Sequence, residues 1–265
     1  MGKIIGVLSL KGGVGKTSSV VSLGFALSEF GKKVLLVDAN FSAPNLGTHL
    51  NFLNPPVTLH QVLSGEKRIK EAINSHDYFD LILSSVFPKE NIDPLKLKFY
   101  LSSLKREYDF ILIDSSPSLN KETLATIDAS DELFVISTPD FSTLSMTLKA
   151  IKVAKRRGTP IKGIILNKVY RKKFELSLED IEKTSEVPVL ALLPHDLNVP
   201  KSQFYFTSGV KLRPNSELGL EYRKLASCIA GEKFQHPRTI KRFFKILPSK
   251  PQINRDIFYT ELFGK

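Results

Sequence analysis

Short runs of consecutive apolar residues, each followed by turn-forming residues, recur along the chain. They are continuous rather than alternating, which is the pattern of parallel strands buried on both faces. Segments with helical periodicity lie between most of them, so the sequence predicts an α/β fold: a doubly wound, mostly parallel sheet with helices on both faces. The predicted strands are 4–8, 34–37, 81–83, 110–113, 133–136, 164–166 and 189–192, and the predicted helices include 17–30, 96–106, 120–129, 144–157 and 216–230.

The length of 265 residues suits one large domain whose core is stable without cross-links. We expect this domain to span residues 1–231 and a basic tail to follow over 232–265, where eight Lys and Arg oppose three Asp and Glu. A single cysteine, Cys228, excludes a disulfide framework and argues against a cysteine-bound cluster within one chain. No secretory signal or membrane-spanning apolar run is evident, so we expect a cytoplasmic protein.

The segment Lys11–Thr17, with the sequence KGGVGKT, follows the first predicted strand and has the character of a phosphate-binding loop. Its glycines let the backbone approach a phosphate closely, and N–H groups at the start of the next helix supply partial positive charge. Lys16 is placed to reach the β- and γ-phosphates, and the Thr17 hydroxyl to ligate Mg²⁺. The predicted nucleotide-binding residues of this segment are Lys11, Gly12, Gly13, Val14, Gly15, Lys16, Thr17 and Ser18.

The loop departs from the strict P-loop pattern at its head. Leu10 stands where that pattern requires glycine, and a second lysine, Lys11, follows it. This variant resembles the deviant Walker A motif of the MinD/ParA family of dimerising ATPases, and the resemblance extends over about residues 3–231. It implies that Lys11 reaches across a two-fold dimer to the phosphates of the partner's ATP. The iron–sulfur branches of the family use several cysteines, so those branches are disfavoured.

Asp38 ends the second predicted strand, at the edge where doubly wound sheets bind their ligands. The segment 38–46 is similar to switch I of the family, which implies a role for Asp38 in binding metal and in catalysis; a loop-capping role is the alternative. Asn40 occupies the position of the carboxylate that orients the attacking water. An amide cannot act as a base but can still orient water, so we expect ATP hydrolysis to be slow.

Asp114 follows four apolar residues, which is a Walker B pattern whose carboxylate holds Mg²⁺ through water. The continuation to Pro117 resembles switch II of the family. Asn167 matches the position that hydrogen-bonds adenine in the family, and Tyr170 stands where a GTPase would have an aspartate, so ATP is favoured over GTP. Pro194 is similar to a second loop beside the base, although an ordinary strand-ending turn explains it as well.

The tail contains a ten-residue segment, 238–247, with an apolar stripe at helical spacing and basic residues opposite. Basic amphipathic helices of this kind lie in the interface of an anionic membrane. MinD proteins carry a similar targeting helix near the C-terminus, which implies reversible binding to the inner face of the cell membrane. The alternative is a last helix that packs on the domain. The predicted membrane-contacting residues are Ile240, Phe243, Phe244 and Leu247.

A second basic segment, 141–174, contains ten Lys and Arg and no acidic residue, within a chain of net charge +11. Lys149, Lys152 and Arg156 fall on one helical face, which favours either non-specific DNA binding, as in ParA proteins, or an ordinary solvated surface. Three functions therefore remain open. They are a MinD-like ATPase that cycles on a membrane to position a division, motility or other apparatus with an unidentified activator or cargo, a ParA-like partitioning ATPase on DNA, and a regulatory ATP-binding scaffold.

Overall fold

The computed structural model describes residues 1–89, 91–234 and 248–263. Within these residues, eight strands form one sheet in the order β3-β4-β2-β5-β1-β6-β7-β8. All neighbouring strands run parallel except the β3–β4 pair. The strands are β1 (Lys3–Leu8), β2 (Val34–Ala39), β3 (Asn74–Ser75), β4 (Asp80–Ile82), β5 (Phe110–Ser115), β6 (Glu132–Ser137), β7 (Ile161–Val169) and β8 (Val189–Pro194).

The same part of the chain forms eleven α-helices and two short 3₁₀-helices, Ile69–Ala72 and Pro94–Lys96. The helices are α1 (Lys16–Ser28), α2 (Leu46–His49), α3 (Leu59–Ser64), α4 (Leu97–Leu104), α5 (Lys121–Ala129), α6 (Phe141–Arg157), α7 (Leu178–Ser185), α8 (Asn198–Phe204), α9 (Gly209–Leu212), α10 (Glu217–Ala230) and α11 (Lys250–Phe263).

The predicted α/β fold is confirmed. A strand lies at each of the seven predicted apolar runs, and α1, α4, α5, α6 and α10 lie within or across the five predicted helices. The sequence did not indicate β3, which is only two residues long. It did not indicate the short helices either, because they contain too few apolar positions to show a helical period.

Successive residues of each central strand face opposite sides of the sheet, and helices cover both sides. Ile4 packs in the same apolar cluster as Leu101 of α4, whereas the next residue, Ile5, packs with Leu23 of α1. All four side chains are nearly or fully buried. This two-sided burial explains why the strands are continuous apolar runs in the sequence.

The last described helix, α11, packs on the sheet rather than extending away from it. Phe258 is buried in the core beside α1 and α10, and it makes an edge-to-face contact with Phe134 of β6. Asn254 Nδ2 donates to the Val189 carbonyl at 2.7 Å, and Arg255 Nη1 to the Leu190 carbonyl at 2.6 Å, both on β8. A structured helix that joins the core of the ATPase domain therefore lies inside the predicted tail, 232–265. The assignment of that range as a separate unit stays a prediction.

None of the described helices is both long enough and apolar enough to cross a bilayer. The predicted membrane-contacting residues, Ile240, Phe243, Phe244 and Leu247, lie outside the residues that the structure describes.

Candidate functional site

A cleft of about 640 Å³ opens at the carboxyl end of β1, where the chain crosses to strands on either side. This is the position at which open α/β sheets bind their ligands. The structure brings most of the predicted nucleotide-binding residues together here. Those that line the cleft are Gly12, Gly13, Gly15, Lys16, Thr17, Ser18, Asn40, Asn167 and Pro194.

The floor of the cleft is a loop that only glycine can form at two positions. Gly13 and Gly15 have φ angles of 75° and 96°, in the left-handed region that strains other residues. A Cβ atom on Gly15 would lie 2.3 Å from Asn167 Nδ2, so Asn167 closes directly over the loop. Two residues of the predicted loop, Lys11 and Val14, do not line the cleft, and the side chain of Val14 is buried in the core instead.

Two carboxylates lie below the loop at the ends of neighbouring strands. Asp38 of β2 and Asp114 of β5 are partners in the parallel register and are fully buried. Thr17 Oγ1 donates to Asp114 Oδ2 at 2.6 Å, while the buried Asp114 Oδ1 has no hydrogen-bond partner among the described residues. Carboxylate and hydroxyl oxygens are the ligands that Mg²⁺ takes in phosphate-binding sites, and the unpartnered oxygen leaves one of them available. The residues present therefore fit a magnesium site.

Burial leaves the charges of this cluster poorly solvated. It lowers the pKa of Lys16, an effect that the nearby Asp114 and Asp38 partly offset. Burial, followed by repulsion from Asp114, raises the pKa of Asp38 to about 8, and burial also raises that of Asp114. A cation beside the carboxylates and a phosphate beside Lys16 would each favour the charged forms. The cluster is therefore adapted to a ligand that carries both.

Asp38 also holds the following loop in place. Its carboxylate accepts backbone hydrogen bonds from Asn40, Asn45 and Leu46 at 3.1, 3.0 and 2.9 Å. Asp38 therefore caps this loop, as the alternative interpretation expected, and it also lies beside Asp114. Asn40 is buried and lines the cleft, and its Nδ2 donates to the Ala43 carbonyl of the same loop.

Lys11 turns away from the loop towards the start of α6. Its Nζ donates to Thr143 Oγ1 at 2.9 Å and to Asp140 Oδ1 at 3.3 Å. Both partners belong to the first turn of α6, where Asp140 is also the N-cap through the Thr143 N–H. Both side chains of the ion pair are partly exposed, so Lys11 is held by contacts at the surface of the molecule.

The opposite end of the cleft is built from the carboxyl ends of β7 and β8 and the residues that follow them. Asn167 Nδ2 donates to the Val14 carbonyl and Lys168 Nζ to the Gly13 carbonyl, both at 2.7 Å. These bonds support the loop from above. The rings of Tyr170 and His195 stack with centroids 4.5 Å apart.

Comparisons with known proteins agree with this geometry. A family model described as an AAA domain matches residues 2–160. An uncharacterized ATP-binding protein of Methanocaldococcus jannaschii is 35% identical over 87% of this chain and 89% of its own length. The chain belongs to the MinD/ParA family of P-loop ATPases.

Two solved structures of this family superpose on the chain. The cell division ATPase MinD of Pyrococcus furiosus has a TM-score of 0.82 and 34% identity, over 86% of this chain and 98% of that one. The septum site-determining protein MinD of Pyrococcus horikoshii, in complex with Mg-ADP, has a TM-score of 0.82 and 33% identity, over 86% and 96%. The fold expected of a MinD/ParA ATPase is therefore present over most of the chain.

The sequence did not reveal part of the cleft lining. Thr48 and His49 of α2 lie along one side, and burial lowers the pKa of His49 to about 4. The helix α8 and the residue after its C-cap form another wall, through Val199, Pro200, Gln203 and Phe206. These positions belong to none of the family motifs identified in the sequence. The helix α8 has only seven residues, so its sequence shows no clear helical periodicity.

The basic segment 141–174 gives α6 an exposed cationic face. Lys149, Lys152 and Arg156 are all exposed on this helix, and none of them takes part in the ion pairs found among the described residues. Lys155 and Arg157, in contrast, pair with Glu186 and Asp128.

Proposed function

We propose that the protein is a MinD-like ATPase that binds ATP and Mg²⁺, dimerises in the bound state, and cycles on and off a membrane to position another cellular apparatus. The observation that carries the proposal is the buried cluster of Lys16, Thr17, Asp38 and Asp114 beneath a glycine loop headed by a second lysine. The MinD relative from Pyrococcus horikoshii binds Mg-ADP, and the one from Pyrococcus furiosus is a cell division ATPase.

The phosphates of ATP would lie on the glycine loop. The start of α1 supplies backbone N–H groups next to this position. Lys16 adds a positive charge, and its attraction to a phosphate is stronger because the site is buried, with a low local dielectric. Thr17 and Asp114 would hold Mg²⁺, with Asp38 beside them. The metal neutralises charge on the transferring phosphate, and the protein contributes positioning and electrostatic stabilisation.

The base would lie at the end of the cleft formed by Asn167 and Pro194. An amide side chain presents both a donor and an acceptor, which matches the edge of adenine. Among the described residues that line this end, Asp196 is the acidic side chain. Asp196 follows β8, whereas the aspartate that reads guanine in GTPases stands two residues after an Asn-Lys pair. Tyr170 occupies that position here, so we still expect ATP to be preferred over GTP.

Lys11 supports ATP-dependent dimerisation. In the single chain its ammonium group bonds the partly exposed carboxylate of Asp140 and the buried hydroxyl of Thr143. The ion pair is weak because both of its side chains are partly exposed, so a partner's phosphates could replace it with little loss of free energy. A second copy would then complete the site by adding one cation in trans.

The test is the molecular mass in solution with and without ATP and Mg²⁺. We expect the native protein to change from its monomer mass of 29.7 kDa to twice that value when ATP is added. Lys11→Ala should stay monomeric, because it lacks the cation that crosses the interface. Lys183→Ala, which removes an exposed lysine of α7, is the matched control and should dimerise. Identical light-scattering masses for native protein and Lys11→Ala in ATP would refute the role of Lys11.

ParA-like DNA binding is the second candidate function, and the exposed cations of α6 favour it. Lys149, Lys152 and Arg156 have no acidic partner in the described part of the chain, so their charge is available to a polyanion. A regulatory scaffold that binds ATP with little hydrolysis is the third, and Asn40 is the residue that supports it. We place the protein in the cytoplasm with reversible attachment to the inner face of the cell membrane.

A further inference from the structure

Phe206 has a backbone conformation that is unusual for its side chain. Its φ angle is 52°, in the left-handed region that favours glycine. The residue follows the C-cap of α8: its N–H bonds the Gln203 carbonyl, and the Thr207 N–H bonds the Ser202 carbonyl, each at 3.0 Å. This is the hydrogen-bond pattern of a Schellman motif, in which glycine is the usual residue at this position.

Among the described residues, four other non-glycine positions have a positive φ angle, and none of them is apolar. They are Asn51, Lys168, Arg171 and Glu186. Phe206 therefore combines two unfavourable features, a left-handed backbone conformation and an apolar residue that is 47% exposed to solvent. Backbone strain of this kind concentrates at binding sites, where the surrounding structure maintains it.

The ring of Phe206 contributes little to the packing of the domain. It belongs to none of the apolar core clusters, and it makes no ring contact with another aromatic residue in the described part of the chain. The neighbouring rings of Phe204 and Tyr205 contact each other instead, at 5.3 Å. Core packing thus gives no reason for a phenylalanine at this position.

Phe206 does line the nucleotide cleft, and its position is fixed by rigid elements. Gln203 Nε2 donates to Ser18 Oγ at 3.0 Å, which joins α8 to the first turn of α1, next to the phosphate-binding loop. On the other side, Val210 of α9 is fully buried in the core. The short connection that carries Phe206 is therefore attached at both ends, beside the cleft.

The geometry points to Phe206 as a further binding residue for the base of the nucleotide: its ring packs against the adenine that Asn167 and Pro194 also contact. This inference rests on the proposed function, because it needs ATP in the cleft. An aromatic ring can stack on a base or contact its edge, and both arrangements bury apolar surface that water otherwise covers. Contact with the base would offset the unfavourable exposure and backbone conformation of the free protein.

The test compares ATP with inorganic triphosphate, which occupies only the phosphate end of the cleft. Both ligands are titrated calorimetrically, with Mg²⁺, into native protein, Phe206→Ala, Phe206→Gly and Phe206→Trp. We expect the alanine and glycine variants to bind ATP about tenfold more weakly, and triphosphate within about twofold of native. Phe206→Trp should keep the affinity for ATP, since it retains an aromatic face. Phe204→Ala is the matched control, because Phe204 is an exposed phenylalanine two residues before Phe206 and does not line the cleft.

Thermal unfolding separates a binding role from a structural one. Phe206→Gly should unfold at or above the temperature of the native protein, because glycine suits the left-handed conformation, even though this variant binds ATP more weakly. Equal ATP affinity for native and Phe206→Gly protein would overturn the inference and leave the proposed function intact. A parallel loss of triphosphate binding would overturn it too, by showing that Phe206 shapes the whole cleft. If native protein binds ATP no more tightly than inorganic triphosphate, both the role of Phe206 and the proposed ATPase function are wrong.

Discussion

At the residue scale, the site combines groups that are individually unfavourable in the free protein. Asp38 and Asp114 are two fully buried carboxylates on adjacent strands, and Lys16 is a buried amine beside them. The pKa of each group is shifted towards its neutral form by burial. A folded domain keeps such a cluster at the expense of stability, and a bound cation and phosphate stabilise it in return.

Asn40 is the residue that we expect to limit the rate of ATP hydrolysis. Its amide lines the cleft and donates to the Ala43 carbonyl, so it holds the loop but cannot accept a proton from water. We expect Asn40→Asp to raise the rate of phosphate release by at least about tenfold, which is less than the roughly 10²–10⁴-fold that a well-positioned general base contributes. Steady-state release of phosphate from ATP measures it.

Asn54→Asp is the matched control for this substitution. Asn54 follows α2 in the chain, its side chain is exposed, and it does not line the cleft. The same chemical change there should leave the rate within about twofold, because an exposed charge is screened by solvent. If native protein hydrolyses ATP as fast as Asn40→Asp, the amide is no handicap and the slow-turnover hypothesis fails.

Individual residues of the site were predictable where a motif fixes their spacing. Gly13, Gly15 and Thr17 have fixed positions within the phosphate-binding loop motif, so identifying the motif identified all three residues. The depth of burial of Asp38 was not predictable, because it depends on the strand order. Phe206 was missed for a related reason: its importance comes from a φ angle and from the meeting of α8 with α1, which the sequence does not show.

At the scale of elements, α11 completes one edge of the sheet. The strand β8 is the last in the sheet order, and α11 lies against it. Arg255 is nearly buried and bonds both the Leu190 carbonyl and Glu221 of α10, so one side chain links three elements.

The packing of Phe258 makes the contribution of α11 measurable. We expect Phe258→Ala to lower the free energy of unfolding by about 3 kcal/mol, as for other buried phenylalanines. Ile257→Ala is the control, since Ile257 is the preceding residue and is more than half exposed. It should change the stability by less than about 0.5 kcal/mol. Urea unfolding followed by circular dichroism measures both.

Equal effects of the two substitutions would mean that α11 is not part of the cooperative unit. The predicted boundary at residue 231 would then describe the folding domain correctly. A large effect of Phe258→Ala alone would extend the domain through 250–263, with the basic amphipathic segment 238–247 lying between two parts of one unit.

At the scale of the whole molecule, the alternation of strands and helices was readable because parallel strands are buried on both faces. Every strand of four or more residues produced an apolar run that stood out from its surroundings. The order of the strands and the antiparallel β3 were not readable, since they result from packing between distant segments. The site at the end of β1 followed from the fold class, because doubly wound sheets bind ligands at that edge.

The net charge of +11 is the property of the whole molecule that its proposed function must explain. A membrane and a DNA duplex are both polyanions, and the chain offers each a different basic region: 238–247 to lipid and the exposed face of α6 to DNA. Lipid binding uses apolar residues as well as charge, whereas non-specific DNA binding is almost purely electrostatic. Salt and apolar substitutions therefore distinguish the two.

We expect ATP-bound protein to sediment with anionic liposomes and to lose this binding when Phe243 and Phe244 are both replaced by aspartate. Two tails on one ATP dimer should bind more tightly than one, by roughly 10²–10⁴, so ADP should release the protein. Lys149→Glu with Lys152→Glu leaves the tail unchanged and should sediment with liposomes as native protein does. If these glutamates abolish retention on DNA, and native protein is retained on DNA more strongly than on liposomes, the ParA-like function replaces the membrane one.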